Sequence, residues 1–444
     1  MQIPLIEMPE EPKPQETVRQ TGTARILKAN RQQIAMRMAA LDQLIGEEHG
    51  VRIIWAMVQS YDLRAFYERI AAVEGSAGRP AIDPAILIGL WLYATSEGVG
   101  SARELERLCE EHIAYQWIAG GVGVNYHTLA DFRVMFEKEL DELLSQSVAA
   151  LMSEGLVSLE RTAQDGVRIR ASAGTSSFRR QARLEGYLKI AQERVEQLKA
   201  EGNAERAEIS QQAQAARQKV ARQRVERVQN ALEEIEKIKE SKTKNHKKKT
   251  KQKEARSSSS DPEARIMKMG DSGFRPAYNG EFAVDVASGI VVGVEATNRI
   301  DQGQMEPMLA QIEQRYHQNP REHLVDGGFV TAQDLEAAYQ RQVKVYAPVP
   351  EARAPLENST EAREGTGPGV KSWRERMQTE EAKTIYPQRS ASSEWVNAQA
   401  RNRGLQQLRV RGLQKVKSIL LWFALVHNLW VSHRLHQATV AVMG

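Results

Sequence analysis

The sequence predicts a mixed α/β protein in which a helical N-terminal part precedes a sheet that a long helical insertion interrupts. Three observations predict it: helical spacing of apolar residues near the N-terminus, alternating strand patterns separated by helices further on, and heptad-like spacing between them. The expected parts are a flexible arm at 1–31, a helical domain at 32–154, an α/β domain at 155–178 and 257–436, a coiled-coil-like insertion at 179–256 and a tail at 437–444.

The composition is that of a globular protein with local basic stripes. The chain has 444 residues, of which 41% are hydrophobic and 27% charged, so it is long enough for two or three domains with cores. The net charge is only +4, but residues 241–256 contain eight Lys or Arg and one acid, while 401–444 contain seven and none. Stripes of this kind are typical of proteins that bind polyanions, and also of solvated or disordered basic runs.

The single cysteine and the apolar stretches bound the compartment. Cys109 alone cannot form a disulfide framework or a Cys-based zinc site, which favours a reducing compartment. The N-terminus does not resemble a signal peptide, and the most apolar late stretch, 418–431, is too short to span a bilayer. We therefore expect a soluble, cytoplasmic protein that has no membrane partner.

Helix-start signals organise the N-terminal domain. Asp83 is an N-cap followed by Pro84 at the first helical position, and Ser101 with Glu104 forms a capping box. A third helix is expected after Tyr126. Short helices joined by glycine-containing turns are compatible with a helix-turn-helix DNA reader and equally with an ordinary helical bundle.

The first strand and the insertion follow. In the predicted strand 161–172, Asp165 shares one side with apolar residues, while Arg168 lies on the other. Two heptad-like helices, broken at Glu201, then predict an antiparallel helical hairpin, and the Lys-rich run at 242–253 predicts a flexible exit.

Strands and helices then alternate to the C-terminus. The order of strand, hairpin, helix, strand, helix, strand, helix is that of a ribonuclease H-like sheet. Its expected parts are a hairpin of 281–286 and 290–296, a helix at 302–316, a strand at 323–326, a helix from Thr331, a strand at 343–347, a loop at 348–385 and helices at 390–401 and 413–436.

Three carboxylates stand out because each lies beside a segment that looks like a strand end or a helix start: Asp165, Asp326 and Glu394. Two Mg²⁺ ions need such oxygen ligands to activate an attacking hydroxyl and to stabilise the leaving oxygen of a phosphodiester. Asp285 is a rival second ligand on a probable strand, and Asp301 is interpreted as a helix-start residue. The glycines after the aspartates, among them Gly166, are expected to allow tight turns and close approach of DNA.

Basic residues surround the third carboxylate. On a helix, Glu394, Asn397 and Arg401 share one face, so a metal-binding carboxylate and a phosphate-binding guanidinium project together. The residues expected to contact the DNA backbone are Tyr386, Arg389, Arg401, Arg403, Arg409, Arg411 and Lys415.

Several blocks in order resemble the transposases of bacterial insertion sequences that carry an Asp-Asp-Glu triad on a ribonuclease H-like core. They are Gly78-Arg-Pro-Ala-Ile-Asp-Pro-Ala through Arg133, Asp261-Pro-Glu-Ala-Arg-Ile-Met-Lys, Tyr278 to Asp285, Val325-Asp-Gly-Gly-Phe329, Tyr386 to Arg401, and Arg411 through His427-Asn-Leu. Between Arg389 and Glu394 lie four residues where related transposases have three, and Arg401 stands where Lys is usual.

The resemblance implies cleavage of DNA at the element's ends followed by strand transfer into target DNA. Asp165, Asp326 and Glu394 are then expected to bind two Mg²⁺ ions, with Mn²⁺ as a substitute. The expected partners are double-stranded DNA, as terminal inverted repeats and as target, and a second copy of the chain in a dimer on that DNA. Two other hypotheses stay open: a DNA-binding regulator that no longer cuts, and a scaffold built on the helical insertion.

Overall fold

The computed structural model describes residues 38–72, 80–204, 211–244, 254–350 and 367–443. Residues Leu41–Gly444 belong to one compact unit; of the preceding unit, Met1–Ala40, only 38–40 are described, and they form no helix or strand. The predicted flexible arm lies outside the described residues. So does the predicted basic exit, apart from 242–244, which end a helix.

Seven α-helices follow a 3₁₀ turn at Leu41–Leu44 in the N-terminal part. Asp83 accepts a hydrogen bond from the N–H of Ala85 and Pro84 opens the helix, as predicted, while Ser101 accepts one from Glu104. The helices are α1 (Gly50–Ser60), α2 (Arg64–Tyr67), α3 (Pro84–Ser96), α4 (Ala102–Glu111), α5 (Ile113–Ala119), α6 (Tyr126–Met135) and α7 (Glu137–Ser153).

One mixed sheet forms the centre of the rest of the chain. Its strands are β1 (Arg161–Arg170), β4 (Arg265–Lys268), β5 (Phe274–Asp285), β6 (Val291–Thr297), β7 (Glu322–Leu324) and β8 (Lys344–Tyr346); β2 (Phe178–Arg179) and β3 (Ser257–Ser258) pair separately. Strand β5 is antiparallel to β1 on one side and to β4 and β6 on the other, whereas β7 and β8 run parallel to β1. The sequence did not predict β4, and β5 begins seven residues earlier than expected.

The insertion is a helical hairpin of α8 (Gln181–Ala204) and α9 (Gln211–Lys244). Lys239 bonds to Gln181 at one end of the pair, and Gln218 bonds to the carbonyl of Leu198 towards the other, so the helices are antiparallel as predicted. The predicted break at Glu201 is wrong, because α8 continues to Ala204.

The C-terminal helices correct one prediction. The stretch predicted as a loop contains two helices, whose anchor is the buried Trp373: its Nε1–H donates to the carbonyl of Ala347, 3.0 Å away, just after β8. The helices after β6 are α10 (Met305–Tyr316), α11 (Ala332–Gln340), α12 (Pro368–Met377), α13 (Glu380–Ile385), α14 (Trp395–Asn402) and α15 (Leu413–Met443), and a π-helical turn at Ser390–Glu394 precedes α14.

Helix α15 joins the N-terminal helices to the sheet in one apolar core. The Nε1–H of Trp422 donates to the carbonyl of Arg133, and the Asn428 amide bonds to both the N–H and the carbonyl of Val291, at 2.8 Å each. Trp422 is fully buried, so truncation to Ala is expected to cost about 3–5 kcal/mol of stability. Within the described ranges no helix combines the length and hydropathy that crossing a membrane requires.

Candidate functional site

The strand register brings two predicted carboxylates to corresponding positions. Ala163 of β1 pairs with Leu324 of β7 in parallel, and Asp165 and Asp326 each follow two residues after these last paired positions. Strand β7 ends before Asp326, where the chain turns and the N–H of Gly328 donates to the Asp326 carboxylate, 2.6 Å away. The two aspartates therefore lie next to each other in the sheet order, although they are far apart in sequence.

Asp165 is largely buried and has polar partners. Its side chain is 20% exposed; it accepts hydrogen bonds from the side-chain amide of Asn397 at 3.1 Å and from the N–H of Gly166 at 2.9 Å. Burial raises the pKa of the Asp165 carboxyl; Arg389 acts against this, and the charge of Asp326 adds to it. The influence of Asp326 on this pKa indicates that the two carboxylates are neighbours.

Arg389 links the first aspartate to the third predicted carboxylate. Its guanidinium lies 3.6 Å from an Asp165 oxygen and 3.6 Å from a Glu394 oxygen. The Arg389 side chain is 15% exposed, whereas that of Glu394 is 62% exposed. Tyr386 is next to them: burial raises its pKa, and a hydrogen bond with Arg389 opposes the rise. The cluster therefore contains Asp165, Asp326, Tyr386, Arg389 and Glu394.

The turn between Arg389 and Glu394 is π-helical, which bears on the spacing noted in the sequence. A π turn contains one more residue than an α turn, and such turns are frequent at functional sites. The hydroxyl of Ser392 donates to the carbonyl of Gln388 at 2.9 Å, and that of Ser393 donates to the carbonyl of Arg389 at 2.7 Å. The wider turn lets Arg389 meet Glu394 five positions later.

The other residues predicted to contact DNA are distributed over the surface near the chain's C-terminal part. Arg401 is exposed on α14. Arg403 and Arg409 line a cavity beside the end of β1. Arg411, whose Nε–H donates to the carbonyl of Ser172, and Lys415 line a separate groove against α9.

Three residues discussed with the candidate cluster have other roles in the structure. Asp285 accepts hydrogen bonds from the N–H and hydroxyl of Ser288 and so closes the β5–β6 turn. Asp301 is not a helix-start residue, because α10 begins at Met305; instead it forms an ion pair with Arg168 at 2.7 Å. Gly166 does not lie in a turn but inside β1, where a Cβ atom would approach Asp301 Oδ1 to 2.5 Å.

The opposite face of β1 holds a polar network that the sequence did not predict. Glu281, fully buried and paired in register with Gly166, accepts hydrogen bonds from the side-chain amides of Asn279 (2.5 Å) and Gln164 (3.4 Å). Burial raises the pKa of Glu281 to about 8, and the charge of Asp301 adds to the rise. The signal that was available was a glutamate directly before the apolar run Phe282-Ala-Val284 of the predicted strand.

The donor chemistry of the cluster suits a hard divalent cation, since all three predicted ligands are carboxylates. Among the described residues, however, no group of three or more His, Cys, Asp or Glu side chains is close enough to hold a metal ion together. Arg389 stands between two of the predicted ligands. Joint binding of an ion by Asp165 and Glu394 therefore requires Arg389 to move.

Carboxylates and a guanidinium gathered at the centre of a mixed sheet define the kind of site that phosphoryl-transfer proteins use. Two family models match the chain: the transposase domain DUF772 over residues 39–135 and the transposase DDE domain over residues 361–433. Over these two segments, which together span less than half of its length, the chain is similar to insertion-sequence transposases of the Asp-Asp-Glu type; such transposases act on DNA and generally depend on divalent metal. Among curated proteins and among solved structures, no match to the chain is found.

The matched segments divide the predicted site. The second segment contains Glu394 and every residue predicted to contact DNA, whereas Asp165 and Asp326 lie between the two segments. The assignment of the two aspartates to the site therefore rests on the strand register and on the residues that contact them.

Proposed function

We propose that this transposase cleaves DNA at the ends of its insertion sequence and transfers the strands to target DNA, with Asp165, Asp326 and Glu394 as its metal ligands. The observation that carries the proposal is the parallel register of β1 and β7, which brings Asp165 and Asp326 to corresponding positions. The link from Asp165 through Arg389 to Glu394 adds the third carboxylate. We also assign the sheet to the ribonuclease H-like type, supported by antiparallel β6, β5 and β1 followed by parallel β7 and β8.

The proposed ligands would hold two Mg²⁺ ions, or Mn²⁺ in their place, which lower the pKa of an attacking hydroxyl and stabilise the leaving oxygen. The residues of the chain supply the geometry. The side-chain amide of Asn397 donates a hydrogen bond to one oxygen of Asp165, and the N–H of Gly166 donates one to the other oxygen. Arg389 offsets part of the negative charge of Asp165 and Glu394 before DNA binds and then offers its guanidinium to a phosphate, whose oxygens match its fork geometry.

The DNA partner is double-stranded: the terminal inverted repeats and a target. The exposed basic residues of the C-terminal part, which include Arg401 and Lys415, supply sequence-independent contacts to phosphates. The helices at 32–154 are assigned to recognition of the repeats. Because two ends must be joined in one reaction, the working form is a dimer on DNA.

A cleavage and strand-transfer assay with terminal-repeat DNA and Mg²⁺ tests the proposal. Asp165→Asn, Asp326→Asn and Glu394→Gln are each expected to abolish both reactions while DNA binding is retained. Glu380→Gln is a matched control, because this glutamate is 87% exposed in α13 and pairs only with Lys383 in the described structure. Full activity in any one of the three variants removes that residue from the proposed triad.

The assay also separates the proposal from the alternative of a regulator that binds DNA without cutting it. The exposure of Glu394 and the position of Arg389 between two proposed ligands are the observations that favour the alternative. If the wild-type protein binds terminal-repeat DNA specifically but neither cleaves nor joins it with Mg²⁺ or Mn²⁺, the regulator is the better description.

A further inference from the structure

A cavity of about 370 Å³ lies between the N-terminal helices and the C-terminal part of the chain. Its walls are the turn after α3, the last part of α6, the end of β1 and the segment 403–409. That segment is fixed to the strand end: the N–H of Arg170 donates to the carbonyl of Gln406 at 3.1 Å, and the N–H of Leu408 donates to the carbonyl of Arg170 at 2.8 Å. The cavity thus joins parts of the chain that are distant in sequence.

The lining of this cavity carries positive charge alone. It contains Arg133, Arg170, Arg403 and Arg409, and none of its lining residues is acidic. In the described part of the chain, none of these four arginines forms an ion pair with a carboxylate, whereas most other buried or half-buried arginines have one. The charge of the exposed Glu97, which does not line the cavity, acts to raise the pKa of Arg403.

Two of the arginines retain donors that nothing in the described structure satisfies. Arg133 stacks on Trp91, 4.4 Å from the ring centre, and donates from Nη1 to the carbonyl of Gly100 at 2.6 Å, but its buried Nε–H has no partner. The buried Nη1 of Arg403 has none either. An unsatisfied donor on a buried charged group is costly, and an anion in the cavity would relieve the cost.

Two of the guanidiniums, those of Arg133 and Arg409, also repel each other. Burial lowers the pKa of Arg133 to about 10, and the nearby charge of Arg409 contributes to the fall. Burial likewise lowers the pKa of Arg403, and Arg434 adds to it. A bound anion would reverse both effects, since an opposite charge favours the charged form of each group.

We propose that this arginine cavity binds one phosphodiester of the DNA backbone, close to the position at which the DNA is cut. Guanidiniums match phosphate oxygens in charge and in fork geometry, and a phosphate needs several donors at once. The inference rests on the proposed function, because it takes DNA as the substrate. Beyond that function, it assigns a fixed DNA contact to the place where the N-terminal helices meet the end of β1.

The position of the cavity predicts which phosphate it binds. Arg170 follows Asp165 by five residues in β1, which at about 3.3 Å per residue is a separation of about 17 Å. Successive phosphates of one DNA strand rise by about 3.4 Å along the axis and also rotate about it, so the bound phosphate should lie within a few nucleotides of the cleaved bond.

The first test measures DNA binding without metal. Arg170 and Arg409 are exposed and unpaired in the described structure, so the double variant Arg170→Gln with Arg409→Gln should fold. We expect it to bind terminal-repeat DNA at least about tenfold more weakly at about 0.15 M salt, and the slope of log affinity against log salt to fall by about 0.9, as for one lost phosphate contact. The matched control is Lys371→Gln with Arg374→Gln, which removes two exposed charges from α12. Equal loss of affinity in both double variants overturns the inference.

The second test locates the contact. Terminal-repeat duplexes with one neutral methylphosphonate are titrated with wild type and with the Arg170→Gln, Arg409→Gln variant. We expect one position within a few nucleotides of the cut at which wild type loses affinity and the variant loses none. Loss of affinity at that position by both proteins to the same extent overturns the inference.

Two further comparisons distinguish free phosphate from DNA phosphate as the bound anion, and the cavity inference from the proposed function. If the cavity takes free phosphate rather than DNA, inorganic phosphate raises the melting temperature of wild type more than chloride at equal ionic strength, while the methylphosphonate series shows no such position; this overturns the inference in its DNA form. Because both binding tests omit metal, a wild type that binds but does not cleave contradicts the proposed function and leaves the cavity inference standing.

Discussion

A carboxylate lies on each of the two faces of the sheet at β1, and the two carboxylates differ in the side chains that contact them. On one face, Asp165 is one-fifth exposed and contacts Arg389, a cation that also contacts Glu394. On the other, Glu281 is fully buried, and its hydrogen-bond donors are the neutral amides of Gln164 and Asn279. Burial raises the pKa of both carboxyls. Burial and a raised pKa therefore do not distinguish Asp165, a proposed metal ligand, from Glu281; access to solvent and a cationic partner do.

The largest expected effect is on DNA cleavage, and it tests whether the two faces of β1 differ in function. Asp165→Asn should lower cleavage of terminal-repeat DNA by at least about 1000-fold, since loss of a metal-binding charge removes several kcal/mol of transition-state stabilisation. Glu281→Gln has the same change of chemistry on the opposite face and should keep cleavage within about tenfold of wild type. Rates are measured at saturating protein and Mg²⁺. Equal losses in the two variants would mean that the faces do not differ in the way described.

The next effect concerns stability and pH. The unfolded chain releases the Glu281 proton near pH 4.5, whereas the folded protein keeps it until about pH 8. The proton therefore stabilises the folded state at low pH, and this contribution is lost as the pH rises from about 4.5 to 8. Relative to Glu281→Gln, which stays neutral, wild type should lose about 3 kcal/mol of unfolding free energy between about pH 5 and about pH 7.5.

Urea unfolding of both proteins at several pH values measures this difference. His323, buried on the same face with its pKa lowered to about 3, stays neutral in the folded state but gains a proton in the unfolded chain below about pH 6.5; because both proteins contain His323, this contribution cancels in their difference. Asp301 and Arg168, which form an ion pair with each other, also face Glu281. A constant difference between the two proteins would show that Glu281 is ionised in the folded state.

Arg389→Gln tests the role of the cationic partner on the face of β1 that carries Asp165. The guanidinium competes with a divalent ion for Asp165 and Glu394, so its removal should tighten metal binding several-fold. Cleavage should nevertheless fall by about tenfold, because the phosphate loses a charge-assisted contact. Calorimetric titration with Mn²⁺ and the cleavage assay are compared, with Lys371→Gln as a control for lost surface charge. Weaker metal binding in the variant would contradict competition.

The sequence predicted the strand that contains Asp165 and the strand that precedes Asp326 better than the surroundings of these two residues. Strand patterns around Asp165 and Asp326 were sufficient to predict neighbouring strands, because a parallel sheet brings strand ends together. The partner of Asp165, Asn397, lies 232 residues away and has no local signal. Helix α12 was missed because only Val370 and Trp373 give it apolar spacing within a charged stretch, and their burial depends on β8.

The π turn explains the unexpected spacing before Glu394 and leads to the smallest expected effect. If the additional residue is accommodated as a widened turn, deletion of the exposed Ala391 should convert Ser390–Glu394 to α-helix and leave Arg389 and Glu394 on the same face. Cleavage should then stay within a few-fold of wild type. Deletion of Gln399 from the regular helix α14 is the control, because there the loss of a residue rotates everything beyond it by about 100°. Loss of cleavage on deletion of Ala391, with thermal stability and DNA binding unchanged, would show that the wide turn itself positions Glu394.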